Sequence, residues 1–404
     1  MTDRPLPDAR DAHVFRTAAD SAPIDRARLA AYLDTVGMPL DPDAPIEQFG
    51  TGMANINYRL TLRLPSGQLK DQQEALRLPG GQLKDQQEAL RLPSGQLKDQ
   101  EKTTSKTVVL RRPPGGDLPP GAHDMAREHR ILSRLWKALP LAPQSFHLCE
   151  DRSVIGVPFQ LIEYRPGLVI KGDDKRHFEG RPDVAAWTGR MLVETLVAVQ
   201  QVDTRAVGLD DLGKPEGFVA RAIKGWRGRA ERLELAPDVR ALIAEVGGWL
   251  ERQSVRDRPA TLLHSDFKLD NLIVDPATLA PVAIVDWDMG TRGDPLFDLA
   301  TLLSYWAEPG DPACMSDMKQ LPTAAPGFPT RNEVVAAYAK LTGIDVSDYP
   351  VFRVLAMFKL AVVLLQLHAL WGRGAAKGAD YAGLAKVASE LLEFAGDVAR
   401  GKVG

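Results

Sequence analysis

The segment His264-Ser265-Asp266-Phe267-Lys268-Leu269-Asp270-Asn271, with Ile284-Val285-Asp286-Trp287-Asp288 soon after it, concentrates carboxylates, an amide and an amine in a short stretch of chain. Phosphoryl transfer to a hydroxyl asks for that set. One carboxylate must orient the attacking hydroxyl and accept its proton, and oxygen ligands must hold magnesium against nucleotide phosphates. Asp266 is placed for the first task, and Asn271 and Asp286 for the second, as metal ligands at either end of a strand pair that turns at Asp275-Pro276. Lys268 is placed to neutralise charge on the transferred group, which makes Asp266 and Lys268 the expected catalytic pair. His264 reads as a brace for the loop, since as a base its imidazole would compete with Asp266. A His-x-Asp triplet alone would be a capped surface turn; the apolar runs Leu272 to Val274 and Val282 to Val285 turn the whole set into a site.

Such residues need rigid elements behind them. Leu29, Tyr32, Leu33 and Val36 recur at helical spacing within residues 25 to 37, and Pro39 follows. Tyr58, Leu60, Leu62 and Leu64 alternate with Arg59, Thr61 and Arg63, the pattern of a half-buried strand, and Thr107 to Arg111 reads as another. Ala122 to Leu139 has helical spacing and stops at Pro140; Val154 to Tyr164 reads as buried strands, broken by Arg165-Pro166-Gly167. From Pro182 the chain is helical except for Ala260 to Trp287. The expected fold class is therefore α+β, a two-lobed kinase layout. A tail (1–24) precedes a small antiparallel-sheet N-lobe (25–164), and a larger, mostly helical C-lobe (165–404) carries the catalytic loop and acceptor pocket.

Inside the N-lobe, Arg63 to Leu76 recurs as Arg77 to Leu90 with Ser66 replaced by Gly80, and Arg91 to Gln100 repeats its first part. The unit is too short and polar for a solenoid, so the insert at 63–100 reads as a tandem duplication at an exposed hairpin tip, with no function assigned. A net charge of -3 with 25% charged residues gives no basic field, so no nucleic-acid partner is expected. Cys149 and Cys314 are the two cysteines and read as buried thiols. The N-terminus lacks a signal-peptide pattern, which points to a cytoplasmic location. Val351 to Trp371 is interrupted by Arg353, Lys359, Gln366 and His368 and reads as a core helix, so no membrane partner is expected.

The sequence resembles the aminoglycoside phosphotransferase family of the protein-kinase-like fold, and within it the branch of kinase domains associated with acyl-CoA dehydrogenases. The likeness rests on Asp266-x-Lys268-Leu269-Asp270-Asn271, on Asp286-Trp287, and on Gly293-Asp294-Pro295-Leu296-x-Asp298-Leu299. It covers roughly residues 25 to 395 apart from the repeat. The resemblance implies ATP and Mg2+ as cofactors. It also implies a nucleotide-covering hairpin at Phe49 to Tyr58, where Gly50, Gly52 and Asn55 meet the phosphates. Ala54 departs from the serine common there. Val109 and Arg111 take the place of the kinase strand that holds adenine and the phosphates; alternation puts both on one face and Arg112 on the other. Arg111 replaces a lysine, as is similar in this branch, and can hold phosphate bidentately. Glu128 is implied as the acid paired with that cation, and Glu163 and Tyr164 as backbone contacts to adenine. Asp294 and Asp298 are implied as braces for the catalytic loop.

The reading is a phosphotransferase that moves the γ-phosphate of ATP to a hydroxyl of a small molecule. Residues 331 to 404 hold seven acids against nine Lys and Arg, too few for a polycationic antibiotic. Arg221, Lys224, Arg227, Arg229 and Arg232 around Trp226 favour an anionic acceptor such as a hydroxy acid or its acyl-CoA ester. The alternatives are a catalytically silent nucleotide-binding module, prompted by Ala54 and Arg111, and an aminoglycoside-type antibiotic kinase. A protein kinase is disfavoured because only seven residues separate Asp286 from Asp294, and a hydrolase because no nucleophile elbow is present.

Overall fold

The computed structural model describes residues 15–17, 20–50, 55–65, 103–114, 123–172, 174–374 and 379–403. Two compact units emerge, one of His13–Gly115 with Gln144–Tyr164, the other of Gly116–Pro143 with Arg165–Gly404. Gly52, Ala54 and nearly all of the tandem repeat lie outside the described residues.

The first unit is an antiparallel sheet backed by a helix. Helix α1 (Arg26–Thr35) starts where the Asp25 carboxylate accepts from the Arg28 backbone N–H, and it buries Leu29 and Leu33. Strand β1 (Glu47–Gln48) pairs with β2 (Ile56–Pro65), and β2 with β3 (Thr103–Arg112), in register from Ile56↔Arg112 to Pro65↔Thr103. After helix α2 (Met125–Leu135), which belongs to the other unit, β4 (Ser145–Cys149), the short helix α3 (Arg152–Ile155) and β5 (Phe159–Glu163) complete the order β1-β2-β3-β5-β4. Alternation decides the core: Tyr58, Leu60, Leu62, Val108 and Leu110 pack with Leu29, Leu33, Phe159 and Leu161. Two expectations are corrected here. Val154 and Ile155 are helical, because Asp151 caps Ser153 and Gly156 at φ 86 ends the turn, so only Phe159–Glu163 is strand. Strand β4 was not expected from its sequence.

The second unit is mostly helical. It contains α4 (Pro182–Gln200), α5 (Phe218–Glu231) and α6 (Pro237–Glu251), followed by the short strands β6 (Thr261–Leu263), β7 (Leu272–Val274), β8 (Pro281–Ile284) and β9 (Thr291–Gly293). Helices α7 (Leu296–Ser304), α8 (Ala313–Asp317), α9 (Arg331–Thr342), α10 (Tyr349–Gly372) and α11 (Leu384–Ala399) complete it. Among the described residues α10 is the one helix long and apolar enough to cross a membrane. It packs against α7 and α11, with Arg353 and Lys359 buried, Lys359 on the Ser265 carbonyl oxygen. That is the interior helix the sequence predicts. Cys149 and Cys314 are buried free thiols.

Candidate active site

Two small ribbons bring the chemistry-bearing residues together. β6 pairs with β9 and β7 with β8, so the loop leaving β6 and the loop leaving β8 emerge side by side. The Val285 N–H donates to the Asn271 carbonyl oxygen at 2.9 Å, which carries the β7–β8 pairing one step further and sets Asp286 beside Asn271 in the chain path. Ser265 and Asp286 both hold left-handed backbone, at φ 69 and 68, a strained state for residues with a Cβ. Buried partners hold the first of these turns. The Asp298 carboxylate accepts from the backbone N–H of His264 at 2.6 Å and of Ser265 at 2.9 Å. The His264 ring bonds the Val285 carbonyl through Nε2 at 2.9 Å, and its Nδ1 accepts from the Asp266 N–H at 3.3 Å. Both imidazole nitrogens are thereby used, and burial depresses the imidazole pKa. His264 is a brace, as the sequence suggests.

Asp266 stands at the open side of this frame. Its Oδ1 accepts from the Tyr305 hydroxyl at 2.8 Å. Its Oδ2 accepts from Asn271 Nδ2 at 3.1 Å and faces Lys268 Nζ at 3.4 Å. Burial works against the charge of Asp266, but Lys268, Lys359 and the Tyr305 hydroxyl together hold its carboxyl below the ordinary range. It is an ionised carboxylate. Lys268 loses by burial and gains more from Asp266, Tyr305 and Asp270, so its ammonium stays charged. Nζ also reaches Gln320 Oε1 at 3.3 Å and Asp270 Oδ2 at 3.6 Å.

A magnesium ion fits this donor set. Asn271 Nδ2 donates to Asp266 twice, to its backbone oxygen at 2.8 Å and to Oδ2, so that the amide Oδ1 could ligate a cation together with the Asp286 carboxylate. Burial pushes the Asp270 carboxyl up to about 6, with Asp266 and Asp286 adding repulsion, and Asp270 Oδ1 is a buried acceptor without a hydrogen bond. A divalent cation would relieve that crowding of acids. Among the described residues no group of three or more His, Cys, Asp or Glu forms a cage for a metal. Two oxygen ligands suit magnesium held jointly by protein, water and nucleotide phosphates.

The remaining residues singled out in the sequence lie mainly on the sheet unit. Val109 and Arg111 alternate away from the core face of β3, and Arg111 lies 3.5 Å from Asn57 Oδ1. Arg112 turns to the other face, where it donates to the Tyr58 hydroxyl at 3.1 Å. Gly50 follows Phe49, whose N–H donates to the Asn57 carbonyl oxygen, and Asn55 is buried at the start of β2. The Glu163 side chain accepts from the Gln144 N–H at 3.2 Å, and Tyr164 stacks on Phe49. Glu128 belongs to the helical unit. It is fully buried in α2, and its Oε1 accepts from the Trp287 N–H at 3.1 Å, directly after Asp286.

The model of the phosphotransferase enzyme family matches residues 91–334, more than half of the chain and all of the catalytic loop. The chain belongs to this family. Acyl-CoA dehydrogenase family member 10 of Mus musculus is 32% identical over 304 residues, 74% of this chain and 28% of that protein's own length. This chain thus spans less than a third of that relative. The fold matches a candidate aminoglycoside phosphotransferase from Ralstonia eutropha, with TM-score 0.66, 23% identity, and 94% of this chain and 99% of the other covered. It also matches aminoglycoside phosphotransferase APH(4)-Ia in a complex with AMP-PNP and hygromycin B, with TM-score 0.52, 13% identity and 89% and 95% covered. The protein-kinase-like fold follows from these matches.

Within this phosphotransferase fold, three site residues escape sequence reasoning. Tyr305 sits at the end of the apolar helix α7 and reads as one more core aromatic. Gln320 has no local signal at all. Lys359 carried one, a lone amine within an apolar helix. Three members of the basic run have partners of their own, while Lys224 and Arg232 are exposed. Arg227 pairs with Glu231 and Glu251, Arg221 with the carbonyls of Lys214 and Glu216, and Arg229 lies 4.4 Å from the Trp226 ring centroid.

Proposed function

We propose that the protein is a Mg-ATP-dependent small-molecule kinase that phosphorylates a hydroxyl group. The observation that carries this reading is Asp266, ionised, gripped through both oxygens, and one hydrogen bond from Asn271. As the acceptor oxygen attacks the γ-phosphorus and the bond to the β-phosphate oxygen breaks, Asp266 takes the hydroxyl proton and Lys268 offsets charge on the moving phosphoryl group. Asn271 and Asp286 would hold magnesium, which when bound neutralises the nucleotide phosphates. Val109, Arg111, Gly50, Gly52 and Asn55 are assigned to the nucleotide, with Glu163 and Tyr164 toward adenine and Glu128 toward the Arg111 cation.

For the acceptor we favour an anion such as a hydroxy acid or hydroxyacyl-CoA. With Arg221, Arg227 and Arg229 committed, further support comes from another segment. A Cβ on Gly172 would fall 2.1 Å from the Gln320 carbonyl carbon, so Lys171-Gly172 lies against Lys319-Gln320, and Gln320 touches Lys268. Lys171 and Lys319 are exposed and form no ion pair with any described residue. The relatives named for acyl-CoA dehydrogenases point the same way, whereas the hygromycin complex supports a cationic sugar. ATP consumption measured with hydroxy acids, hydroxyacyl-CoA esters and aminoglycosides decides between them. Turnover raised at least tenfold by the anionic panel is expected; stimulation by aminoglycosides alone would overturn the anionic assignment.

A further inference from the structure

Among the described residues the Tyr305 hydroxyl is the one donor on Asp266 Oδ1, at 2.8 Å, while Oδ2 accepts from Asn271 Nδ2 at 3.1 Å and lies 3.4 Å from Lys268 Nζ. A carboxylate oxygen offers two lone-pair sites, and an ionised carboxylate about four. Oδ2 thus faces an amide donor and the Lys268 ammonium, whose charge makes it the less basic oxygen, while Oδ1 keeps a lone-pair site open beside its bond from Tyr305. Without Tyr305 the carboxylate could rotate about its Cβ–Cγ bond and exchange the two oxygens. With it, rotation breaks a hydrogen bond to a charged group.

We propose that Tyr305 is a positioning residue for phosphoryl transfer: it locks the Asp266 carboxylate so that Oδ1 is the oxygen that takes the acceptor proton. This rests on the kinase reading above. Tyr305 is suited to the task because it cannot wander. It is 7% exposed at the end of α7, and its ring lies 4.8 Å from Lys268 Nζ, so the same side chain touches both members of the catalytic pair. Burial beside Asp266 raises the phenol well above its usual pKa and keeps it a donor. The step balances simply: the acceptor O–H proton passes to Oδ1, the oxygen bonds to phosphorus, and ADP leaves. Tyr305 neither gains nor loses a proton.

The test uses the full chain, with water as the acceptor in ATP hydrolysis, so that no acceptor need be known. Wild type, Tyr305→Phe, Asp266→Asn and the double variant are compared in kcat, KM for Mg-ATP and melting temperature. Tyr305→Phe is expected to lower kcat about 10- to 100-fold, the worth of a hydrogen bond to a charged group. KM should stay within about twofold and melting within a few degrees. In the Asp266→Asn background the same change should cost less than about twofold, because Tyr305 acts through Asp266. An equal loss in both backgrounds, or no loss in wild type, overturns the proposal while leaving the kinase reading intact. A wild-type protein that binds Mg-ATP yet cleaves it neither with water nor with any hydroxy acid, hydroxyacyl-CoA ester or aminoglycoside removes the kinase reading and this proposal with it.

Discussion

Asp266, in the loop after β6, and Asp298, in the first turn of α7 behind that loop, show how two neighbouring aspartates come to differ. Asp266 is partly exposed, ringed by Lys268, Lys359 and the Tyr305 hydroxyl, and stays ionised. Asp266→Asn should therefore lower kcat by about 100-fold or more with Mg-ATP binding retained; calorimetry beside steady-state kinetics checks this, and a loss of binding in step with activity would contradict a base role. Asp298 is fully buried, and burial pushes its carboxyl up to about 6 despite two backbone donors. An unfolded chain holds an aspartate near about 3.9. The folded protein thus keeps a proton that the unfolded chain has released, so this contribution is full below about pH 4 and is lost as pH rises through about 6, by up to roughly 3 kcal/mol. Urea midpoints at pH 5 and 7 should fall with pH, and Asp298→Asn should flatten that fall; an unchanged slope would argue against a protonated acid there. The grouping of Asp266, Lys268, Asn271 and Asp286 could be read from spacing, because a hairpin of fixed length brings the two ends of the motif together. Tyr305 and Gln320 could not, since they arrive from elements that sequence spacing does not link to the loop.

At the scale of elements, legibility followed periodicity. Strands β2 and β3 and helix α10 were readable because one face of each strand, and most of the helix, is buried. Strand β4 was not, since of its five residues only Ser145 and Cys149 are buried, which masks the alternation. Helix α2 covers Met125–Leu135 rather than 122–139, as Asp124 caps it and the chain turns after Leu135. The approach of Lys171-Gly172 to Lys319-Gln320 has no periodic signature, yet it sets Gln320 on Lys268. Gly172→Ala would place a Cβ 2.1 Å from backbone that cannot yield like a side chain. It should cost on the order of 1–3 kcal/mol and several-fold in kcat. Unaltered melting and kinetics in Gly172→Ala would show that this contact is dispensable.

At the scale of the whole chain, the sheet unit carries the residues assigned to nucleotide and the helical unit those assigned to chemistry and metal. The tandem repeat begins in the last residues of β2 and otherwise falls in sequence between Pro65 and Thr103, the paired ends of β2 and β3. Excising residues 77–90, one full period, leaves both strands and their register unchanged, and shortening such a connection alters closure entropy by well under about 1 kcal/mol. Melting within about 2 °C of wild type is expected; a collapse of folding would give the repeat a structural part that its sequence does not suggest. The central claim, a metal-nucleotide site at Asn271 and Asp286 serving Asp266, is tested most directly by thermal melting with and without Mg-ATP in wild type and Asp286→Ala. A midpoint that rises by several degrees in wild type, by linkage of binding to folding, and does not rise in the variant is the predicted result. A cooperative melt that ignores Mg-ATP in wild type, or an equal rise in both proteins, would contradict the assignment.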